Sequence, residues 1–216
     1  MKPEKNGRGK EKSFLVSFLS ILLIATGLYM AISYSYQWIK GYSAVEHTEI
    51  KETEAAPIDK RAMGQPLEVP SYESPPKIDE EFGTLTIPKL EVSIPIFEGT
   101  DPDQLAKGIG HFANSVLPGE DNNSVLSGHR DTVFRQLGEV GEDDLLIVTT
   151  SAGEFTYRIQ KVRIVDADDR TVIVPKPRAT LTVTTCYPFD FVGNAPERYV
   201  LVAELIATDL TEEETA

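Results

Sequence analysis

An uncharged apolar segment near the amino terminus, Phe14–Ile32, restricts the fold of this chain more than any other feature. As a helix, its 19 residues would span about 28 Å, close to the roughly 30 Å hydrocarbon core of a bilayer. A buried core helix would carry polar residues along one face, and a cleaved signal peptide normally has an apolar region of only about 7–15 residues. Bulky Tyr34 and Trp38, which suit a membrane interface, follow the segment in place of a small-residue cleavage site. We therefore predict an uncleaved transmembrane anchor over residues 13–33.

Charge is distributed unevenly on the two sides of this segment. Residues 1–12 contain five Lys and Arg against two Glu, a net charge of +3, whereas the whole chain of 216 residues has a formal net charge of −13. Basic residues mark the cytoplasmic side of a membrane helix, so we predict a single-pass protein of the cell membrane with a cytoplasmic tail (1–12) and an extracellular carboxyl-terminal part. The acidic balance excludes general nucleic-acid binding, because phosphate contacts need clustered Lys and Arg.

Composition divides the rest of the chain into three parts. Residues 34–77 are rich in Glu and Pro and predict an extracytoplasmic linker, extended and semi-rigid at its Pro-rich end. Whether this linker folds back over the following domain stays open at this stage. Residues 78–208 have the apolar content of a folded domain, and residues 209–216 form an acidic tail that we expect to fray.

Short β-type runs separated by turns make up most of the predicted domain, which indicates an all-β fold, a closed barrel or a sandwich. The runs are 83–87, 92–97, 124–127, 144–150, 155–162, 178–185 and 198–205. Runs 144–150 and 155–162 are close enough to form a hairpin. Two short helical turns are also predicted, Asp101–Lys107 with Thr100 as its cap, and Val133–Leu137.

Cys186 is the only cysteine, which excludes an internal disulfide and any zinc site built on paired cysteines. It ends the β-branched run TLTVTTC just before Tyr187-Pro188, so we place its thiol at the rim of a sheet. A lone cysteine is often a buried structural thiol. Outside the cytoplasm, however, an unpaired thiol is open to oxidation, and its position at a strand end favours a nucleophile.

A nucleophilic thiol needs a proton acceptor and a group that binds the developing oxyanion. Three histidines are present: His47 lies in the predicted linker, His111 in GIGHF, and His129 in SGHRD just after a strand. Gly128 allows a backbone turn there, which favours His129 as the base. Arg198 begins the last predicted strand, and it would share a rim with Cys186 if the two strands were antiparallel neighbours. Arg130, Arg163 and Arg178 lack this relation to the cysteine.

Three segments resemble the sortases, cysteine transpeptidases of Gram-positive cell surfaces. TVTTC (182–186) resembles the TLxTC signature with Val183 at the leucine position, SGHRDT (127–132) resembles the segment of the catalytic histidine, and ERY (197–199) that of the catalytic arginine. The resemblance extends over roughly residues 80–206. CYPFDFVGNAPERY (186–199) and GIGHF are most similar to class D sortases of Bacillus-type Gram-positive bacteria.

This resemblance implies a closed eight-stranded β-barrel with short helices, preceded by one amino-terminal transmembrane helix. It implies catalysis by Cys186, His129 and Arg198, with Thr185 and His111 contacting substrate. The substrates would be surface proteins with an LPxT-type sorting signal, LPxTA or LPxTG, cleaved after Thr. The acceptor would be an amine of a peptidoglycan precursor, either lipid II or a stem peptide, so that surface proteins become anchored to the cell wall.

Other readings of the same residues are weaker. An L,D-transpeptidase would show a His-Gly-Cys-Xaa-Arg cluster, and papain-like or NlpC/P60 hydrolases normally place Cys before His. A wall-binding module without activity predicts an unreactive Cys186. The acidic run at Glu139, Glu142, Asp143 and Asp144 is a candidate for calcium, and some sortases respond to that ion, but we expect no required metal or other cofactor.

Overall fold

The computed structural model describes residues 7–47, 70–190, 193 and 195–211. The chain divides between Ile39 and Lys40 into two compact units. Half of the predicted linker, residues 48–69, lies outside the described residues.

A long helix, α1 (Gly7–Tyr42), contains the predicted anchor and continues beyond it at both ends. Its segment Val16–Tyr36 has a mean hydropathy of 2.0 and no buried residues, so it is long and apolar enough to cross a membrane. Within this segment the Ser20 and Thr26 hydroxyls donate to carbonyls one turn earlier, at 2.9 and 2.8 Å. Their polar groups are thereby satisfied inside the helix, as a hydrocarbon environment requires.

Within the described residues, nine strands form one mixed sheet that closes on itself. In chain order they are β1 (Glu46–His47), β2 (Glu81–Ile87), β3 (Val92–Glu98), β4 (Ile109–His111), β5 (Asn123–Ser127), β6 (Leu145–Thr150), β7 (Gly153–Asp166), β8 (Thr180–Tyr187) and β9 (Glu197–Leu210). Their order is β1-β3-β2-β6-β7-β9-β8-β5-β4, and β4 pairs back onto β3. Strands β2 to β9 therefore make a closed eight-stranded barrel, which confirms the predicted fold, and the two-residue β1 extends it at β3.

Side chains alternate across the barrel wall, so one face of each strand fills the interior. The central core residues from β8 and β9 are Leu181, Val183, Tyr199 and Leu201. Residues one position away from these point to the outer face. The alternation therefore fixes which residues near the strand ends face outward.

Some local predictions differ from the structure. The predicted helix at 101–107 is shorter, α2 (Pro102–Leu105), and its cap is Asp101, whose side chain and that of Gln104 form a reciprocal capping box. The prediction of Thr100 as the cap was therefore wrong. Val133–Leu137 forms turns that lead into a 3₁₀ turn, Leu137–Glu139, instead of a helical turn.

Strand β9 also continues through Leu210, into the segment that we expected to fray. Asp209 and Leu210 pair there with Glu154 and Gly153 of β7, and this backbone pairing is invisible in the local sequence. At the other end of the domain Tyr72, from the predicted linker, donates its hydroxyl to Pro118 O at 2.7 Å and packs against the core. The end of the linker nearest the domain is thus bound to the barrel.

Candidate active site

Cys186 and Arg198 lie directly opposite each other on neighbouring antiparallel strands, β8 and β9. Both are one position away from core residues and so face outward, and both are partly exposed. Side chains that are directly opposite in such a pair have Cβ atoms about 4.5–5.5 Å apart. The barrel thereby brings the thiol and the guanidinium to one outer rim, as the antiparallel arrangement considered above requires.

Two backbone carbonyls just before Arg198 hold its guanidinium near the start of β9. Its Nη1 donates to the carbonyls of Ala195 and Glu197, at 3.2 and 2.9 Å. The Nε and Nη2 groups take no part in these two hydrogen bonds, and N–H donors of this kind can bind an oxyanion that forms at the neighbouring thiol.

His129 reaches the same end of the barrel from β5. Strands β5 and β8 are parallel, with Ser127 beside Thr184, so their carboxyl ends lie at one edge. Gly128 N–H then donates to Thr184 O at 3.2 Å, and the exposed His129 follows immediately. A Cβ at Gly128 would lie 2.6 Å from the Phe134 ring, so only glycine fits this close approach.

Thr185 connects the cysteine strand to the histidine loop. Its side chain points inward, the residue is 3% exposed, and its Oγ1 donates to Gly128 O at 2.7 Å. The residue before the candidate nucleophile therefore fixes the residue before the candidate base. The structure places this hydroxyl under the rim and not on its surface.

His111 lies in the barrel interior, 1% exposed, on β4. Its Nδ1 is 2.6 Å from Glu98 Oε2, and its Nε2 is 3.0 Å from both Val116 O and Ser115 Oγ. The serine, histidine and glutamate therefore have the spacing of a hydrolase triad.

Hydrogen-bond accounting argues against catalysis by this second cluster. Val116 O can only accept, so His111 Nε2 must carry a proton and cannot take one from Ser115. The Ser115 hydroxyl is also committed, donating to Phe112 O and accepting from Val125 N–H. The cluster fastens β3, β4 and the following loop together. The substrate contact predicted for His111 stays a prediction, and the buried ring does not favour it.

Aromatic side chains close the barrel beneath the candidate site. Tyr187, Phe189 and Tyr199 contact one another with ring centroids 5.2–6.2 Å apart. The Tyr199 hydroxyl donates to Val140 O at 2.9 Å. Burial, with smaller effects from Tyr187 and Asp144, raises the pKa of Tyr199 above its usual range, so this hydroxyl stays protonated and keeps its bond. Tyr187, Phe189 and Tyr199, which we call the aromatic floor, thus pack against one another beneath the rim that carries Cys186.

The last residue of the acidic run considered for calcium, Asp144, is hydrogen-bonded to other groups of the protein. Asp144 accepts from Lys89 Nζ and from Gly141 N–H, both at 2.7 Å. Partial burial alone would raise the pKa of Asp144, but these hydrogen bonds and the lysine charge outweigh it and lower the pKa. Within the described ranges of the chain, no three His, Cys, Asp or Glu side chains come close enough to hold a metal ion.

One residue of the site was underestimated from the sequence. Arg130 follows His129 directly, yet the sequence presents it only as an alternative to Arg198. In the structure Arg130 is 5% exposed and bonded to the backbone beyond Cys186. Its position in SGHRDT is the only sequence signal that could have marked it.

Comparisons with known proteins agree on one family. The sequence model described as "Sortase domain" matches residues 85–206. Sortase D of Bacillus subtilis (strain 168) is 40% identical over 195 residues, which cover 87% of this chain and 98% of that protein.

Solved structures give the same result. The catalytic domain of SrtD from B. anthracis is 43% identical with a TM-score of 0.56, and the match covers 65% of this chain and 97% of that one. The Clostridium perfringens Sortase D5 transpeptidase is 30% identical with a TM-score of 0.57, covering 62% and 83% of the two chains.

Proposed function

Because this chain belongs to the sortase family of cysteine transpeptidases, we propose that it cleaves an LPxT-type sorting signal after Thr and transfers the acyl-protein to an amine of a peptidoglycan precursor. The observation that carries the proposal is the outward-facing pair of Cys186 and Arg198, beside the loop of His129. This set supplies a nucleophile, a proton carrier and an oxyanion donor, the three parts that acyl transfer needs.

In the first step the Cys186 thiolate attacks the Thr carbonyl of the sorting signal, and Arg198 binds the oxyanion. The C–N bond then breaks, and His129 gives its proton to the leaving amine, which leaves a thioester on Cys186. In the second step His129 takes a proton from the acceptor amine as that amine attacks the thioester. The C–S bond breaks, the thiolate is restored, and a new amide joins the surface protein to the precursor. Thr185 positions the histidine loop in both steps.

The amino-terminal helix would place this reaction at the outer surface of the cell membrane. The basic residues before the helix favour a cytoplasmic amino terminus, and the acidic domain after it is then extracellular. Lipid II or a stem-peptide amine would be accessible there. Surface proteins bearing the signal would meet the enzyme after export.

The test uses the full-length chain in detergent micelles, incubated with LPNTA and LPNTG peptides and analysed by intact mass. The proposal predicts an acyl-enzyme that maps to Cys186, is released by an added amine, and is absent in Cys186→Ala. The preferred peptide would identify the fifth position of the signal. A wall-binding module without activity would form no adduct with either peptide, and Cys186 would also resist thiol reagents.

The metal question has its own test. We propose that the reaction needs no metal, because the thiol, imidazole and guanidinium account for each proton and charge in the two steps. Acylation should therefore proceed at an unchanged rate after treatment with a chelator. A clear gain with millimolar calcium, reversed by the chelator, would contradict this.

A further inference from the structure

Arg130 is charged but buried beside the exposed candidate base. The residue is 5% exposed, and its Nε donates to Asp131 Oδ1 at 3.1 Å. That partner is itself 63% exposed, so it compensates little of the cost of burying a guanidinium. Neutral hydrogen-bond acceptors also contribute to offsetting this cost.

Two backbone carbonyls are among these acceptors. Arg130 Nη1 donates to Pro188 O at 2.8 Å, and Nη2 donates to Gly193 O at 2.9 Å. Both belong to the connector between β8 and β9, which we define by its described residues, 188–190, 193, 195 and 196. Gly193 has φ +107°, a conformation that favours glycine and that allows its carbonyl to be presented here.

The position of the connector makes this contact relevant to the reaction. It leaves β8 two residues after Cys186 and enters β9 at Glu197, next to Arg198. Arg130 is next to His129 in the chain, and its guanidinium binds the connector. The connector joins the strand of the nucleophile, Cys186, to the strand of the oxyanion donor, Arg198. Thr185 makes a second link to the His129 loop, from β8 to Gly128 O.

We propose that Arg130 is a positioning residue of the transpeptidase: by holding the Pro188 and Gly193 carbonyls, it fixes the connector against the His129 loop and sets the geometry in which Cys186 is acylated. The effect on acylation rests on the proposed function, whereas the hold on the connector does not. Lysine cannot replace it, because an ammonium presents all its donors from one atom, whereas the guanidinium presents them from three nitrogens in a plane. Misplacement of reacting groups by about 1 Å can cost roughly 100-fold in rate.

The first arm of the test measures the hold on the connector without any sorting peptide. Hydrogen–deuterium exchange is compared in full-length wild type, Arg130→Lys and Arg130→Gln in detergent. Arg135, an exposed arginine of the same loop, supplies the matched controls Arg135→Lys and Arg135→Gln. We expect at least tenfold faster exchange in the connector and in residues 128–136 of both Arg130 variants, with β2 and β6 unchanged. Exchange equal to wild type in both variants would overturn the proposal.

The second arm measures single-turnover acylation of Cys186, below the thermal midpoint of every variant. We expect the maximal rate to fall at least tenfold in both Arg130 variants, the peptide concentration at half-maximal rate to change less than threefold, and the Arg135 variants to stay within twofold. A purely structural arginine would lower the thermal midpoint and leave the acylation rate of the folded enzyme unchanged, which would refute the positioning role.

A double variant tests whether Arg130 acts on the acylation rate through His129. If Arg130 acts by placing His129, adding Arg130→Gln to His129→Gln should slow acylation little beyond His129→Gln alone. Independent, multiplicative losses would contradict that route. If wild type forms no acyl-enzyme with any sorting peptide, the proposed function fails, while the exchange arm still decides whether Arg130 holds the connector.

Discussion

The hydrogen bond from Thr185 to Gly128 O offers a sharp perturbation, because a single buried hydroxyl links the nucleophile strand to the base loop. Thr185→Val keeps the β-branched shape on β8 and removes only the donor. The Gly128 carbonyl then loses a 2.7 Å hydrogen bond in a site where the donor residue is 3% exposed. Thr185→Ser is the matched control, since it keeps the hydroxyl.

The expected magnitude follows from the burial of that carbonyl. An acceptor left unsatisfied in the interior costs about 1–3 kcal/mol of folding free energy. For a domain of this size each kcal/mol lowers the thermal midpoint by about 2–4 °C, which predicts a decrease of roughly 2–12 °C. Gly128 N–H keeps its bond to Thr184 O, so the loop shifts without detaching. We expect turnover to fall by between about threefold and 100-fold.

The assay combines thermal unfolding of the full-length protein in detergent with single-turnover acylation of Cys186. The serine control should stay close to wild type in both measurements. A Thr185→Val protein with an unchanged midpoint and an unchanged rate would refute the claim that this bond positions the loop.

Two further predictions concern packing and charge away from the rim. Gly138→Ala should lower the thermal midpoint, because the added methyl carbon would lie 2.7 Å from Phe189 in the aromatic floor, and crowding of this kind costs about 1–3 kcal/mol; an unchanged midpoint would show that the ring has room to move. Lys89→Met should reduce the amount by which acidification lowers the thermal midpoint. The pKa of Asp144 is lowered in the folded protein, so its contribution is present above the unfolded pKa of about 4 and disappears as pH falls through the folded value. Thermal midpoints between roughly pH 2 and 7 would check this, and parallel curves for variant and wild type would contradict it.

Most of the strands could be predicted from the sequence, because β-branched and apolar residues alternate along them. This alternation predicts the hairpin of β6 and β7, the strand that ends near Cys186 and the strand that begins near Arg198. Closure of the barrel depends on β3 pairing with β4, a contact that no local pattern encodes. The strand pattern alone leaves a closed barrel or a sandwich open, and the family resemblance selects the eight-stranded barrel.

Buried polar residues were the part that sequence reasoning could not place. His111 stands in a motif-like segment, yet its neighbour Glu98 is brought to it by the parallel pairing of β3 and β4. Arg130 reads as an exposed charge beside His129, and its carbonyl partners lie 58 and 63 residues later in the chain. His111 is satisfied by Glu98 and by the loop after β4, and Arg130 is hydrogen-bonded to carbonyls far along the chain, which allows both polar side chains to be buried.

The central claim is that Cys186, His129 and Arg198 act as one site. Its most direct test is the rate at which the thioester forms on Cys186, followed by intact mass in a single turnover, for wild type, His129→Gln and Arg198→Lys. We predict at least a 100-fold slower thioester in each variant at an unchanged thermal midpoint, because one lacks the proton carrier and the other lacks the planar donor beside the thiol. Thioester formation at the wild-type rate in both variants would contradict the account.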